Sequence, residues 1–288
     1  MKIKSLHLLP ETLLASTQEN WQSDSIIVTN YKTRPKIGKK YCFTPYHLFI
    51  YVHSGMQMIH RNGNSYMIGE GEACLIKYGD FSLSEMPTGN PIFQSTMLFL
   101  SDEIIKRLLK NSPLPSEQSE PASNIFKIAG SHILTTVIHS LQQQLSSEQN
   151  SSNLEEQTSF ILGQILKPNT GNELKIFLQS LSEPLETELP ILFSDKQRLL
   201  LPLTALAKIV GRSFVEFEKE ITKEYAISPQ EWLNEKRLEH AYFLLTHTPD
   251  SIEDIAVQTG FANPAEFLSR FEKKFGQSPQ EVSETAGR

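Results

Sequence analysis

Eight histidines and two cysteines are the side chains best able to hold a metal or act as nucleophiles. His47, His53 and His60 share one stretch but stand six and seven residues apart, and no His-x-His pair occurs. A metal on a β-scaffold needs several ligands brought to one point, so these histidines read as separate core or surface residues. Cys42 and Cys74 lie outside any Cys-x-x-Cys spacing. They imply neither a zinc site nor a disulfide framework, and fit small buried residues in a reducing cytosol. No Gly-x-Ser-x-Gly elbow, phosphate-binding loop or dinucleotide fingerprint occurs. The expectation is therefore a protein that is not an enzyme and has no metal or cofactor. What remains is non-covalent chemistry. Asn263, Pro264, Ala265 and Glu266 form a short polar cluster, followed by Arg270, Lys273 and Lys274. An amide and a carboxylate can pair with polar edges, and the three cations can hold anionic oxygens.

The elements that must position this set form a repeat. Ala207-x3-Gly211 recurs as Ala256-x3-Gly260, 49 residues later. An aromatic follows each glycine, Phe217 and then Phe267. Next come Ile221 and Phe271, then Tyr225 and Phe275, then Ser228-Pro229 and Ser278-Pro279. The small alanine suits a tight helix crossing, and the glycine suits a left-handed helix end. The i, i+4, i+8 apolar residues make one inward face of a second helix. Each copy is thus a helix-turn-helix whose second helix leaves its opposite face free for a DNA major groove. Between the copies, Ser228–Thr246 predicts a long helix with Pro229 in its first turn. Trp232, Leu233, Leu238, Ala241, Leu244 and Leu245 form its apolar side, setting the two reading helices about one turn of B-DNA apart, ~34 Å.

In the second copy, Asn263 can pair with adenine and Glu266 can accept from cytosine. Pro264 and Ala265 complete the tip that meets base edges, while Arg270, Lys273 and Lys274 are expected to touch phosphates. Asn263 reads equally well as a helix N-cap. Arg212, Ser213 and Lys219 are the matching set in the first copy. Charge argues the other way. The chain carries a net −6, and from Asp195 onward 12 basic residues face 15 acidic ones, a balance of −3. A basic surface normally supplies most non-specific DNA affinity. The first reading helix, Ser213–Glu224, holds Glu216, Glu218, Glu220 and Glu224 against Lys219 and Lys223.

The N-terminal half reads differently. Ser25–Tyr31, Tyr46–His53, Gln57–Arg61, Ser65–Ile68, Ala73–Lys77 and Pro91–Leu100 predict strands, with a hairpin turn at Asn62-Gly63. Short strands at this spacing imply an antiparallel sandwich or small barrel. Along Tyr46–His53, the set Tyr46, Leu48, Ile50 and Val52 is the better inward face than His47, Phe49, Tyr51 and His53. No charged cluster converges on that interior, which suits either a small apolar effector or an interior filled by side chains. Helices are predicted at 101–111, 128–145, 154–166 and 173–181, and a polar loop over 112–124. On the second of these helices Ile133, Leu134, Val137 and Leu141 make a regular apolar stripe that could join a second copy into a homodimer. No apolar run approaches the ~20 residues of a membrane span. The N-terminal apolar stretch is broken by His7, Pro10 and Glu11, which argues against a secretory signal and for a cytoplasmic protein.

The second copy, with Arg237-Leu238-x2-Ala241 before it and Arg270-Phe271-x-Lys273-Lys274-Phe275-Gly276-x-Ser278-Pro279 at its end, resembles the AraC/XylS regulators. The resemblance is firm over about residues 190–282 and weaker over 26–110, which is similar to that family's cupin-like sensing domain. It implies an α+β architecture: a cupin-like antiparallel barrel or sandwich over 1–125, a helical dimerisation or linker region over 126–189, and an all-α double helix-turn-helix domain over 190–288. It also implies sequence-specific binding of double-stranded DNA, transcription control with RNA polymerase as a possible partner, and effector binding or dimerisation through the N-terminal half. The chain departs from the family pattern after the final proline, where Glu281-Val282 replaces an aromatic-Arg pair, and in the acidic first reading helix. That acidity motivates an alternative, a degenerate member acting by protein contact. A cupin-type metalloenzyme is the alternative of another class.

Overall fold

The structure, a computed structural model, describes residues 6–15, 19–34, 38–89, 91–110, 123–146, 154–166, 172–183 and 188–285. The chain divides into two compact units, one of residues 7–184 and one built on residues 185–288. Most of the polar loop expected at 112–124 lies outside the described residues.

The first unit is built on two sheets. Its strands are β1 (Leu6–Leu8), β2 (Asn20–Gln22), β3 (Ile26–Thr33), β4 (Lys40–Thr44), β5 (His47–Ser54), β6 (Met56–Arg61), β7 (Asn64–Ile68), β8 (Ala73–Ile76), β9 (Gly79–Met86), β10 (Phe93–Leu100) and β11 (Ile125–Ile128). One sheet runs β1-β4-β9-β6-β7 and the other β11-β8-β5-β10-β3-β2. Pairing is antiparallel from β4 to β7 and throughout the second sheet. Both sheets are open, so the unit is a sandwich and not a closed barrel. The predicted hairpin is present: Arg61 pairs with Asn64, and Asn62 and Gly63 both have positive φ, 50° and 78°, the two-residue turn that matches strand twist. β4 and β9 have no counterpart in the sequence reading. β9 alternates Phe81, Leu83 and Glu85 inward with Ser82 and Ser84 more exposed, and its serines hide the apolar period.

Leu48, Ile50 and Val52 of β5 lie between the sheets with Ile59, Phe81, Phe93, Met97 and Phe99, while Tyr46 packs at the edge of this core. The alternate face of β5 is not open to solvent. Phe49 and Tyr51 are covered by helices, which explains a strand apolar on both sides. One end of the interior corrects the expectation of an uncharged cavity. Lys40 Nζ lies 2.7 Å and 2.8 Å from the Glu85 carboxylate and 2.9 Å from the Tyr31 hydroxyl, and the Glu85 side chain is only 3% exposed. Burial opposes the charge on Lys40, but the bonds to Glu85 and Tyr31 outweigh it and raise its pKa.

The helices of this unit are α1 (Glu11–Leu14), α2 (Asp102–Lys110), α3 (His132–Ser146), α4 (Leu154–Leu166) and α5 (Asn172–Leu181). Leu134, Ile138 and Leu141 of α3 join Ile104, Ile105 and Leu108 of α2, with Leu162, Leu174 and Phe177, against the outer face of the second sheet. This corrects the dimer stripe. Leu134 and Leu141 are 2% and 0% exposed, because Phe49, Tyr51, Leu98 and Leu100 need a cover and α3 provides it. Val137 packs at the edge of the same core, and Ile133 alone of the four stands exposed. The helices after residue 125 pack on the outer face of the second sheet and fall in the same compact unit as the strands, whereas the sequence predicts a region of their own over 126–189.

The second unit is helical: two 3-10 turns, Leu189–Ser194 and Lys196–Leu200, then α6 (Leu203–Ile209), α7 (Phe214–Tyr225), α8 (Pro229–His247), α9 (Ile252–Gln258), α10 (Pro264–Phe275) and α11 (Pro279–Thr285). The repeat gives two like pairs, α6–α7 and α9–α10, joined by α8. At 19 residues, α8 is about 28 Å long. Its first half contributes Trp232, which packs on Phe193, Phe217 and Tyr225 at ring distances of 5.1, 6.0 and 5.7 Å. Its second half contributes Leu238, Ala241 and Leu245 to a core with Ile255, Ala256, Phe261, Phe267 and Phe271.

Candidate nucleic-acid interface

Each helix pair is turned by the same local device. Ala207 and Ala256 are 1% exposed and sit at the crossing. The following glycines have φ of 68° at Gly211 and 87° at Gly260, which costs glycine little. The amide of Gly211 donates to Lys208 and that of Arg212 to Ala207; those of Gly260 and Phe261 donate to Val257 and Ala256 in the same pattern. This double bond satisfies the last carbonyls of the first helix and redirects the chain into the second.

The second helix of each pair then starts on a capping side chain. Ser213 Oγ accepts from the Glu216 amide while the Glu216 carboxylate accepts from the Ser213 amide at 2.9 Å. Those bonds to Ser213 hold the Glu216 carboxyl below its usual range. Asn263 Oδ1 accepts from the amides of Ala265 at 2.9 Å and Glu266 at 3.5 Å. Asn263 is thus an N-cap, and a two-bond pairing with adenine would need the oxygen the cap already uses.

Phe217 and Ile221, and Phe267 and Phe271, are fully buried. At 100° per residue, positions two before and two after an inward residue point away from the core. On α7 these are Val215, Lys219 and Lys223; on α10 they are Ala265, Ser269 and Lys273. All six are exposed. Phe214, the first residue of α7, is 40% exposed and Val215 56%, so the tip of the first reading helix is apolar. The glutamates that make α7 acidic stand off this line. Glu216 is engaged in the cap, and Glu220 pairs with Arg212 at 3.3 Å.

The predicted site residues therefore divide. Asn263, Pro264, Ala265 and Glu266 share the exposed tip of α10, and Lys273 lies on its outward face; Lys219 lies on the outward face of α7. Arg212 and Ser213 sit in the turn before α7. Arg270 and Lys274 point sideways to α8. Arg270 pairs with Glu266 at 2.8 Å and Glu231 at 2.9 Å, and Lys274 pairs with Glu239 at 3.2 Å and Glu235 at 3.7 Å. Glu231, Glu235 and Glu239 form one acidic row along α8. Burial opposes ionisation of Glu239, yet the bonds from Lys236 and Lys274 hold its carboxyl below the usual range. Sequence reasoning missed Phe214, Val215, Lys223 and Ser269, although the spacing from the aromatic anchors contained them.

The histidines weighed for metal chemistry are separately engaged. His47 meets Asp102 at 3.0 Å, His53 meets Thr96 at 2.8 Å, and His60 meets Ser65 at 2.7 Å. Among the described residues no three His, Cys, Asp or Glu side chains gather to hold a metal ion. Burial raises both cysteine thiols well above the ordinary range. No described helix is long and apolar enough to cross a membrane.

Residues 47–156 match the family described as the ExsA N-terminal regulatory domain, and residues 206–285 match the one described as a helix-turn-helix domain. The HTH-type transcriptional activator RhaS of Escherichia coli is 25% identical over 243 residues, covering 82% of this chain and 84% of RhaS. Among solved structures, unsaturated fatty acid bound ToxT from Vibrio cholerae aligns over 93% of this chain and 97% of its own, at 16% identity and a TM-score of 0.42. An AraC-type transcriptional regulator from Chromobacterium violaceum aligns over 35% of this chain and 92% of its own, at 25% identity and a TM-score of 0.32. With a regulatory domain matched in its first half and two helix-turn-helix units built alike in its second, the chain belongs to the AraC/XylS family of DNA-binding transcription regulators.

Proposed function

We propose that this regulator reads double-stranded DNA with both helix-turn-helix units, α7 and α10 entering successive stretches of major groove. The observation that carries this reading is the shared exposed triplet, Val215, Lys219 and Lys223 on one helix and Ala265, Ser269 and Lys273 on the other. Lys219, Lys223 and Lys273 serve phosphates. Phe214, Val215 and Ala265 suit thymine methyl groups, and Ser269 and Glu266 suit polar base edges. Arg212, Ser213, Asn263 and Pro264 shape the two tips. Arg270 and Lys274 brace α10 against α8 and have at most a secondary part in holding phosphate.

The rival reading, a degenerate member acting by protein contact, rested on the acidic first helix. Its glutamates lie off the outward line, which favours a working first reader. RhaS is named a transcriptional activator, and that likeness extends the reading to activation, with RNA polymerase as the protein partner in the cytoplasm. In the N-terminal unit, the packed interior and the Lys40–Glu85 pair favour an interior filled by side chains over a site for an apolar effector.

Selection of bound duplexes from a random pool by the full chain tests the reading. Two short conserved boxes about one helical turn apart are the expected result. A single box would leave only one unit reading DNA, and no enrichment at all would restore the protein-contact alternative.

A further inference from the structure

The linking helix α8 changes partners at its middle. Trp232 packs on the first helix-turn-helix unit, and Leu238, Ala241 and Leu245 on the second. Arg237 stands at this changeover and touches both. Its Nε donates to the carbonyl of Leu199 at 2.8 Å, in the 3-10 turn just before α6. Its guanidinium also lies flat against the turn of the second unit. A β-carbon at Gly260 would come 2.9 Å from Nε, 3.0 Å from Cζ and 3.1 Å from Nη2. The φ of 87° demands glycine at 260, and a side chain there would also displace the guanidinium. Glu266, in the first turn of α10, is near enough for its charge to favour the cation, although burial pulls the Arg237 pKa down.

We infer that Arg237 is a positioning residue that sets the spacing and angle between the two reading helices. The guanidinium reaches one unit through a hydrogen bond and the other through a planar stack. A single-ended cation such as lysine cannot do both in one rigid geometry. A continuous helix fixes distance along its axis, but each helix pair can still pivot on its apolar contacts with α8. A group bonded to the turn before α6 and packed on the turn of the second unit restricts that freedom. The property under its control is the separation of the two boxes that the protein accepts, more than the recognition of either box. This inference rests on the reading above, in which both helices engage DNA.

The test uses the full chain and the duplex it selects from a random pool. Affinity is measured on that duplex and on versions with one base pair inserted or deleted between the boxes. Wild-type protein is expected to lose about tenfold or more on the altered spacings, the scale of a strong mismatch. Arg237→Met keeps the apolar stem but neither the bond to Leu199 nor the cationic stack. It is expected to bind the intact site more weakly while its loss on altered spacing shrinks to about threefold or less. Arg237→Lys should fall between the two. A base change inside either box should cost Arg237→Met as much as wild type, since each reading helix remains intact. Should Arg237→Met not fold, the same ratio read on Arg237→Lys decides the matter. Spacing discrimination equal to wild type in these variants overturns the inference while leaving the two-helix reading in place. Wild-type protein indifferent to spacing overturns both.

Discussion

Arg270 and Glu231 form an ion pair across the interface of α10 and α8, Nη1 to Oε2 at 2.9 Å, although 39 residues separate them. The same guanidinium also reaches Glu266 one turn back, and bonds to Glu266 and Glu231 raise its pKa. A cation held by two carboxylates is poorly placed to release counterions from DNA. We expect Lys273→Ala, and likewise Lys219→Ala, to lower the slope of log affinity against log salt by about 0.9. Arg270→Ala should leave that slope nearly unchanged and cost about 0.5 kcal/mol of folding stability, the ordinary worth of an exposed pair. Binding titrations across a salt series separate the two classes, and a full unit of slope lost in Arg270→Ala would restore it as a phosphate contact.

The acidic row on α8 has a consequence of opposite sign. Replacing Glu231, Glu235 and Glu239 together by glutamine frees Lys274 from its carboxylates, leaves Arg270 paired with Glu266 alone and removes three negative charges from α8. Affinity for any duplex should rise, and the salt slope should steepen by about one to two units as one or both cations gain phosphates. Unchanged affinity for non-specific DNA at low salt would show that the row is too far from the groove to matter.

His53 makes the N-terminal unit sensitive to acid. Burial first, and the charge of nearby His139 second, push its pKa down to about 4 from 6.5. Its ring lies 2.8 Å from Thr96 Oγ and 3.1 Å from Gln142 Nε2, beneath α3. The folded state thus binds fewer protons than the unfolded one. The stabilisation is complete above pH 6.5 and is lost as pH falls from there through 4. Partial exposure screens the effect, leaving on the order of 2 kcal/mol. Denaturant unfolding at pH 7 and pH 4.5 should show His53→Gln losing less stability than wild type over that interval. Identical losses would exclude His53 as the source.

The two reading helices end differently. Gly276 closes α10 with φ of 69°, where glycine is at ease, but Ala226 closes α7 with φ of 57°. Ala226→Gly should stabilise the helical unit by about 1 kcal/mol, since a left-handed residue gains more from losing its β-carbon than the unfolded chain gains in freedom. Thermal unfolding would register this as an upward shift of the midpoint, and a downward shift would mean that the alanine methyl packs on something of value.

Much of the DNA-binding half could be read from the chain alone because its requirements are local. A left-handed turn asks for Gly211 and Gly260, a helix start asks for Ser213 and Asn263, and an inward face asks for Phe217/Ile221 and Phe267/Phe271 at four-residue spacing. Each is a demand of backbone geometry within a dozen residues, so residue type and interval suffice. The outward triplets were present in the same pattern, two positions from each anchor. Partner choice was not. That Arg270 meets Glu231, that Lys40 meets Glu85, and that Arg237 bridges Leu199 and Gly260 depend on where helices and strands cross, and separations of 39, 45 and 38 residues carry no periodic trace. The stripe on α3 marks the same boundary. Its period showed that one helix face is covered, but a second copy and the sheet bearing Phe49 and Tyr51 would leave the same mark. Helical period reports only that apolar side chains share a face; the tertiary fold decides which surface that face meets.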